Sequence, residues 1–429
     1  MKKPSLDLVT KNPREAALQI AYLASRTDRY IADLVKEWEN KSNPKTVDGR
    51  LVQEIVYGMK RREISLDYFC RKIPREKKKA FKGKERLIVH LSLYQYIFMS
   101  RIPMHAIVNE SVKLANRYCH ASFGSFLNAV LRKMPEINWQ LPKKNWEVYF
   151  SYPKSLIALF IDDYPQKVEK ILDAMNQTPK TMIRIRPAYK NVFFPAMSEW
   201  KKIDEYIGDI VLAQDSAKIS SLGNRKEIYI QNITPAYLMK KLSQSLYGKP
   251  KKVLDLCAAP GGKLLMAHDL YPEAKLWAND ISAPRIDLLY ENCKKYGMTV
   301  MVSCKNAAYF KEEDLFDLVI LDVPCSNSGV LHKRVEARYR ITKTVLRELN
   351  KTQSALLKQA AQLIKKSGQI WYLTCSILKE ENEKLVEKAA QDLGLSIVEK
   401  MYSVLPNNFG WDGGFACALS LKPSAKLDK

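Results

Sequence analysis

KVLDLCAAPGGK, residues 252–263, sets a short apolar run (Val253, Leu254, Leu256) directly before a loop of small residues. Pro260, Gly261 and Gly262 end the strand period and let a ligand approach bare backbone. Leu264, Leu265, Met266 and Ala267 then open a helix, whose N-terminus directs amide donors and a positive dipole end at the same place. Strand, glycine loop and helix in succession form the leading edge of a nucleotide-binding α/β sheet. The spacing is neither G-x-G-x-x-G nor G-x-x-x-x-G-K-[ST]: no earlier glycine stands in the loop, and Leu264 follows Lys263. A dinucleotide or a nucleoside triphosphate is therefore a poor fit.

Beyond this stretch the chain alternates. Strands are expected at Val253–Cys257, Lys275–Asn279, Thr299–Val302, Asp317–Leu321 and Gln369–Thr374, with helices at Ala283–Tyr296 and Thr344–Ile364. Phe415–Leu421 reads as a closing edge strand. This alternation predicts a parallel sheet wound on both faces, a Rossmann-like α/β domain over residues 244–429.

Toward the N-terminus the period changes. Ala16, Ala17, Ile20 and Leu23, then Leu51, Ile55 and Met59, then Leu87, Leu91 and Tyr94, recur at helical spacing, which predicts an all-α domain over residues 1–140. A run from Arg71 to Arg86 holds nine basic and two acidic residues, either a solvated loop or a phosphate-contacting patch. Pro135, Pro142, Trp139 and Trp146 suggest a linker, leading into a small α+β region, with residues 141–243 forming a middle RNA-binding or linker subdomain. There Leu156–Tyr164 and Val168–Met175 read as helices and Thr181–Arg186 as a strand. Arg184 and Arg186 alternate with apolar neighbours, so both guanidiniums share one face, either solvated or a basic strip beside an active site.

The totals narrow the class. The chain has 429 residues, enough for two or three domains, and 70 basic against 46 acidic residues give a net charge of +24. An excess of that size points to a polyanionic partner, nucleic acid ahead of an anionic membrane or a merely solvated surface. The N-terminus MKKPSLDLVTKNP has charge but no apolar core, so no signal peptide is expected. The longest apolar run, Leu87–Met99, is interrupted by His90, Ser92 and Gln95 and is too short to span a bilayer. Eight scattered cysteines with no C-x-x-C pair suggest neither a metal site nor a disulfide framework, and a reducing cytoplasmic setting is expected.

In wound sheets, ligands sit at the carboxyl ends of the strands. Four such ends carry polar residues: Cys257–Lys263; Asp280, eighteen residues past Gly262; Asp322-Val323-Pro324-Cys325-Ser326; and Thr374-Cys375-Ser376. A carboxylate such as Asp280 at the second end can accept both hydroxyls of a ribose, or it can cap a turn. Cys325 and Cys375 each end a strand on the ligand side, and each is followed by serine. A thiolate there is a nucleophile whose target would be an electron-poor ring. Added at carbon 6 of a cytosine, it makes carbon 5 nucleophilic toward a methyl donor. The residues themselves do not rank the two cysteines.

With these motifs in view, LDLCAAPGGK, FDLVILDVPCSNSGV, YLTCSILKEENE and DGGFACAL resemble the Sun/Nop family of RNA cytosine-5 methyltransferases. RLVQEIVYGMKRR, IPMHAIVNESVKLAN and FLNAVLRK are similar to the helical NusB-type RNA-binding module. The pairing of the two is that of the branch acting on small-subunit (16S) ribosomal RNA. The resemblance implies that Cys257, Ala258, Ala259, Pro260, Gly261, Gly262, Lys263, Asp280, Asn306 and Asp322 bind S-adenosylmethionine. It implies Cys375 as the nucleophile, Cys325 as the group that assists release, and Asp322 as the holder of the cytosine ring. Arg184, Arg186, Lys263 and Arg285 are expected RNA contacts, no metal is expected, and the protein is expected to be a monomer. Asn306 stands where an acidic residue is usual, Asn232 where an Asp is expected, and Arg186 where an Asn is common; with His332–Arg340 these departures are expected on the RNA side. Two other readings remain: a non-catalytic RNA-binding factor, and an NAD-linked oxidoreductase, which leaves both cysteines and the charge unexplained.

Overall fold

The computed structural model describes residues 8–74, 80–189, 201–202, 210–212 and 225–422. The chain divides into two compact units, Met1–Ala158 and Leu159–Lys429. Among the described residues no helix is long and apolar enough to cross a membrane.

The first unit is helical, as the period predicts: Pro13–Ala24, Ile31–Ser42, Thr46–Arg61, Glu63–Cys70, Gly83–Phe98, Met104–Tyr118 and Ala121–Arg132. Asn12 starts the first helix by accepting from the Arg14 and Glu15 amides at 2.9 and 3.2 Å, with Pro13 at the first helical position. Ala16, Ala17, Ile20, Ile55 and Leu91 are fully buried on the inner faces. At Gly58 the helix Thr46–Arg61 meets the Tyr94 ring so closely that an added Cβ would lie 1.9 Å from it. The expected linker is packed instead. Trp139 donates to the Met134 carbonyl at 2.7 Å and meets Phe69 edge-on, and Ser65 donates to the Val148 carbonyl at 2.7 Å. The tryptophans that suggested a mixed polar stretch carry enough apolar surface to hold it against the helices. Of the basic run Arg71–Arg86, residues 75–79 lie outside the described residues.

The second unit has two sheets. β1 (Met182–Ile185), β2 (Lys201–Lys202), β3 (Ile210–Leu212) and β4 (Ile228–Ile230) form an antiparallel sheet in the order β2-β3-β1-β4. The larger sheet holds β5 (Lys252–Asp255), β6 (Lys275–Asn279), β7 (Val300–Ser303), β8 (Phe316–Asp322), β9 (Ile364–Thr374), β10 (Leu395–Val404) and β11 (Gly414–Leu421), in the order β10-β11-β9-β8-β5-β6-β7. β9, β8, β5, β6 and β7 run parallel, while β11 is antiparallel to both β9 and β10. Side chains alternate between two cores. Val253, Leu318, Ile320, Trp371 and Leu373 face the helices Ile233–Ser243, Gly262–Leu270 and Ala283–Tyr296, and Leu254, Val319, Leu321, Ile370 and Tyr372 face Lys343–Leu363 and Glu383–Leu393. That double coverage is why these strands read as continuous apolar runs.

Two expectations are corrected. The sheet is mixed rather than wholly parallel, and Phe415–Leu421 is not its edge, because β10 pairs along its outer side. β10 escapes the sequence reading because its period breaks at Glu399-Lys400, where the register shifts between Val398 and Tyr402 and Glu399 has a φ of 60°. The second correction concerns Arg184 and Arg186. They share a face, but it is not a solvent-facing basic strip. Both are buried, and both bond to Asp269 on the helix Gly262–Leu270, at 2.6 and 2.9 Å. Arg186 also donates to the carbonyls of Lys226 and Tyr296. Pairing with an internal carboxylate takes from both guanidiniums the phosphate contact that was expected of them.

Asp269→Asn would leave two buried guanidiniums without their counter-charge, which costs about 3–5 kcal/mol. A urea-unfolding midpoint should fall accordingly, and an unchanged midpoint would show that the triad does not hold the small sheet against the helix.

Candidate active site at the carboxyl ends of the strands

The chain leaves β5 toward β6 and β7 on one side, and later returns to β8 and β9 on the other. The strand order therefore reverses between β5 and β8, and a crevice opens there at the carboxyl ends. Residues 256–261 bridge it. Gly261 has a φ of 105°, and an added Cβ would come within 2.8 Å of Leu289, so only glycine fits this turn into the helix Gly262–Leu270. The Ala259–Pro260 peptide is cis.

Asp280, at the end of β6, is buried and accepts from the Ala259 amide at 3.1 Å and from the Ser282 amide at 3.1 Å. It therefore anchors the glycine loop and starts the helix Ala283–Tyr296. Arg285 bonds to the Ala259 carbonyl and lies 3.3 Å from Asp280, about half-exposed over the loop. Asn306 is exposed, and its Oδ1 accepts from the Ala308 amide at 3.0 Å as the cap of a short 3-10 helix. Burial, then the charges of Asp255 and Asp322, push the Cys257 thiol well up, so that sulfur stays neutral. Of the departures expected on the RNA side, Asn232, Arg186, His332 and Arg338 are buried.

Asp255 gathers the electrostatics of this end. It is fully buried, and neither oxygen has a side-chain hydrogen-bond partner among the described residues. Burial first, and the charge of Asp322 second, push its carboxyl up to about 7. Three carboxyl groups, Asp255, Asp280 and Asp322, thus surround a glycine loop, with Lys263 on Asp322 and Arg285 on Asp280. A ligand bearing an ammonium and a sulfonium would relieve that crowding, so the donor set fits S-adenosylmethionine. Lys263 reaches Asp322 at 2.6 Å. Burial works to lower the Lys263 pKa, but Asp322 first, with Cys375 and Asp255 behind it, lifts it above its ordinary value. The ammonium is therefore held charged beside the thiols.

Cys325 and Cys375 lie together, Sγ to Sγ at 3.0 Å, at the ends of the neighbouring strands β8 and β9. Both are free thiols. The hydrogen bond to Cys375 first, then burial, then charge on Cys375 and Glu381, push the Cys325 pKa far up. Two residues that the sequence reading did not single out complete the group. Asn327, at a φ of 60°, accepts from Cys375 Sγ at its Oδ1, at 3.2 Å, and donates from Nδ2 to the Cys325 carbonyl at 3.1 Å. Glu381, wholly buried, bonds the serines that follow both cysteines. The only signal for Glu381 in the sequence is the acidic run after TCS; Asn327 has none beyond its place after PCS.

Residues 247–411 match the family described as "16S rRNA methyltransferase RsmB/F", and residues 11–136 match the NusB family. The chain is 27% identical over 461 residues to "Probable ribosomal RNA small subunit methyltransferase B" of Bacillus subtilis, spanning 98% of this chain and 100% of the relative. It is 26% identical to "Ribosomal RNA small subunit methyltransferase B" of Shigella boydii, over 89% of this chain and 90% of the relative. The solved structure of PH0851 shares the fold, with a TM-score of 0.77, 21% identity and coverage of 96% of this chain and 99% of that one. NSun6 from Pyrococcus horikoshii with SFG overlaps 63% of this chain and 99% of its own, with a TM-score of 0.54 and 15% identity.

A carboxyl raised from 3.8 to about 7 binds its proton more tightly in the folded state. Its contribution to stability is full below about pH 4 and is lost as pH rises through about 7. Asp255→Asn should remove that part of the pH dependence. Thermal unfolding of the ligand-free protein between those limits checks it, and an unaltered slope would contradict this account of Asp255.

Proposed function

We propose that this chain, a member of the RsmB/F family of 16S rRNA methyltransferases through residues 247–411 and of the NusB family through residues 11–136, methylates carbon 5 of a cytosine in small-subunit ribosomal RNA. The observation that carries the reading is the 3.0 Å approach of the Cys325 and Cys375 sulfurs at the rim shared with the glycine loop. Loop residues 257–263 with Asp280 and Asp322 would hold S-adenosylmethionine, which supplies the methyl group in electrophilic form.

The protein's own groups divide the remaining work. Cys375 is the nucleophile: as thiolate it adds to carbon 6 of the cytosine, and the ring's electrons shift to carbon 5. Asp322, three residues before Cys325, holds the Lys263 ammonium charged at the same end of the sheet. Asp322 is assigned to the cytosine ring on the resemblance. Cys325 starts as a neutral thiol hydrogen-bonded to Cys375. Once Cys375 is bonded to carbon, the largest cause of the raised Cys325 pKa is gone. After carbon 5 has taken the methyl group, with the donor's sulfur–methyl bond breaking, Cys325 can lose its proton to water and as thiolate take the proton from carbon 5, and the carbon 6–sulfur bond breaks to return the Cys375 thiolate. The +24 charge and the helical module, residues 1–140, are assigned to RNA. We place the protein in the reducing cytoplasm, where free thiols persist.

Cys375→Ala should reduce turnover to background, while Cys325→Ala should accumulate a protein–RNA adduct that survives a denaturing gel. Both proteins, incubated with small-subunit RNA and S-adenosylmethionine, give the comparison. An adduct that persists in Cys375→Ala instead would reverse the two roles.

A further inference from the structure

Each of the two cysteines is followed by a serine, and both serines turn back to one buried carboxylate. Glu381 is 0% exposed. Its Oε2 accepts from Ser326 Oγ at 2.5 Å and from Ser376 Oγ at 2.6 Å. Its Oε1 accepts from the Ser326 amide at 2.8 Å and from Gln353 Nε2 at 3.1 Å. These four donors come from three segments: the turn after β8, the turn after β9, and the helix Lys343–Leu363. The hydroxyls have little freedom to turn elsewhere, because Ser376 Oγ already accepts from the Leu378 amide at 3.0 Å and Ser326 Oγ from the Ser328 amide at 3.3 Å. Glu381 is itself fixed. Tyr372 donates to its carbonyl at 2.8 Å, and the next residue, Asn382, bonds Thr374 Oγ1 at 2.6 Å and the Ser376 carbonyl at 3.0 Å.

Beyond the strand ends the two turns are joined by the Gly329 amide, which donates to the Cys375 carbonyl at 3.0 Å, and by the Ile377 amide, which donates to Ser328 Oγ at 2.9 Å. Among the described residues Glu381 is the one side chain that bonds the residues next to both sulfurs. We propose that Glu381 is a positioning residue that clamps the Ser326 and Ser376 turns together and thereby holds the Cys325 and Cys375 sulfurs within reach of one cytosine ring. The clamp rests on the cytosine-5 reading for its purpose, but its geometry stands without it. It also separates the cysteines. Two of the four bonds come from Ser326, beside Cys325, so the negative charge sits closer to that thiol's backbone and helps keep it protonated. Cys375 donates to Asn327 Oδ1 instead.

Glu381→Gln keeps the shape but offers one accepting oxygen to four donors. Two readouts follow. The first needs no RNA: mild oxidation with diamide, which removes two electrons and two protons from a thiol pair, measures how closely the sulfurs approach. Linkage of residue 325 to residue 375, followed by peptide mapping, should slow markedly in Glu381→Gln. The second is catalysis: kcat for methylation should fall about 10²-fold, the scale of an ångström's misplacement, while KM for RNA and the Kd for S-adenosylmethionine stay within about twofold. Glu381→Asp, which keeps the charge, should recover part of both.

Where Glu381→Gln does not fold, Ser326→Ala and Ser376→Ala each release one arm of the clamp and should give smaller losses of the same kind. Wild-type oxidation and kcat in these variants would overturn the clamp. So would a loss of cofactor affinity and unfolding midpoint in step with kcat, since that marks general destabilisation. Slowed oxidation in an enzyme whose wild-type form shows no cytosine methylation would instead overturn the reading of function and leave the clamp standing.

Discussion

Asp322 on β8 lies opposite Leu373 on β9, and the two strands run parallel. Parallel neighbours deliver their last residues to the same rim of the sheet, so Cys325 and Cys375, a few residues further on, emerge side by side. Had β9 been antiparallel to β8, the second thiol would stand at the opposite rim. The site depends on this pairing more than on any single contact. The same register puts Asp322 across from the glycine loop after β5, whose own pairing with β8 and β6 is also parallel.

Charge does the rest of the arranging. One end of the crevice concentrates Asp255, Asp280 and Asp322, and a fully buried carboxyl with little to stabilise its ionised form holds its proton to about pH 7. The other end pairs two thiols with Lys263 between them and the carboxylates. Two chemically identical side chains are made unequal by what surrounds them. Cys325 is packed against Glu381 and the partner sulfur, and its proton is retained; Cys375 donates to the amide oxygen of Asn327. Low local dielectric strengthens each of these contacts around two sulfurs that stand 3.0 Å apart.

Arginines 184 and 186 illustrate a different outcome of burial. In a strand a guanidinium every second residue looks like a phosphate-binding face, and the alternation was correctly visible. What decides its use is whether an acidic partner arrives from elsewhere, and Asp269, more than eighty residues on, does. The bifurcated pair fastens the four-stranded sheet to the helix behind the glycine loop.

The alternation of strands with helices, the glycine loop, the four polar strand ends and the helical first third were all legible in the amino-acid order, because backbone periods of 2 and 3.6 residues impose themselves over short windows. So was the pair of Cys-Ser steps, though not what the serines are for. The folded chain alone decided the rest. It laid β10 outside Phe415–Leu421, drew Trp139 onto Phe69, buried the two arginines against Asp269, and gathered Ser326, Ser376 and Gln353 around Glu381. Each of these joins residues distant in sequence or crosses a break in local period. Their partners are chosen by packing and by the demand that a buried charge be matched, and neither is written in any short stretch of the chain.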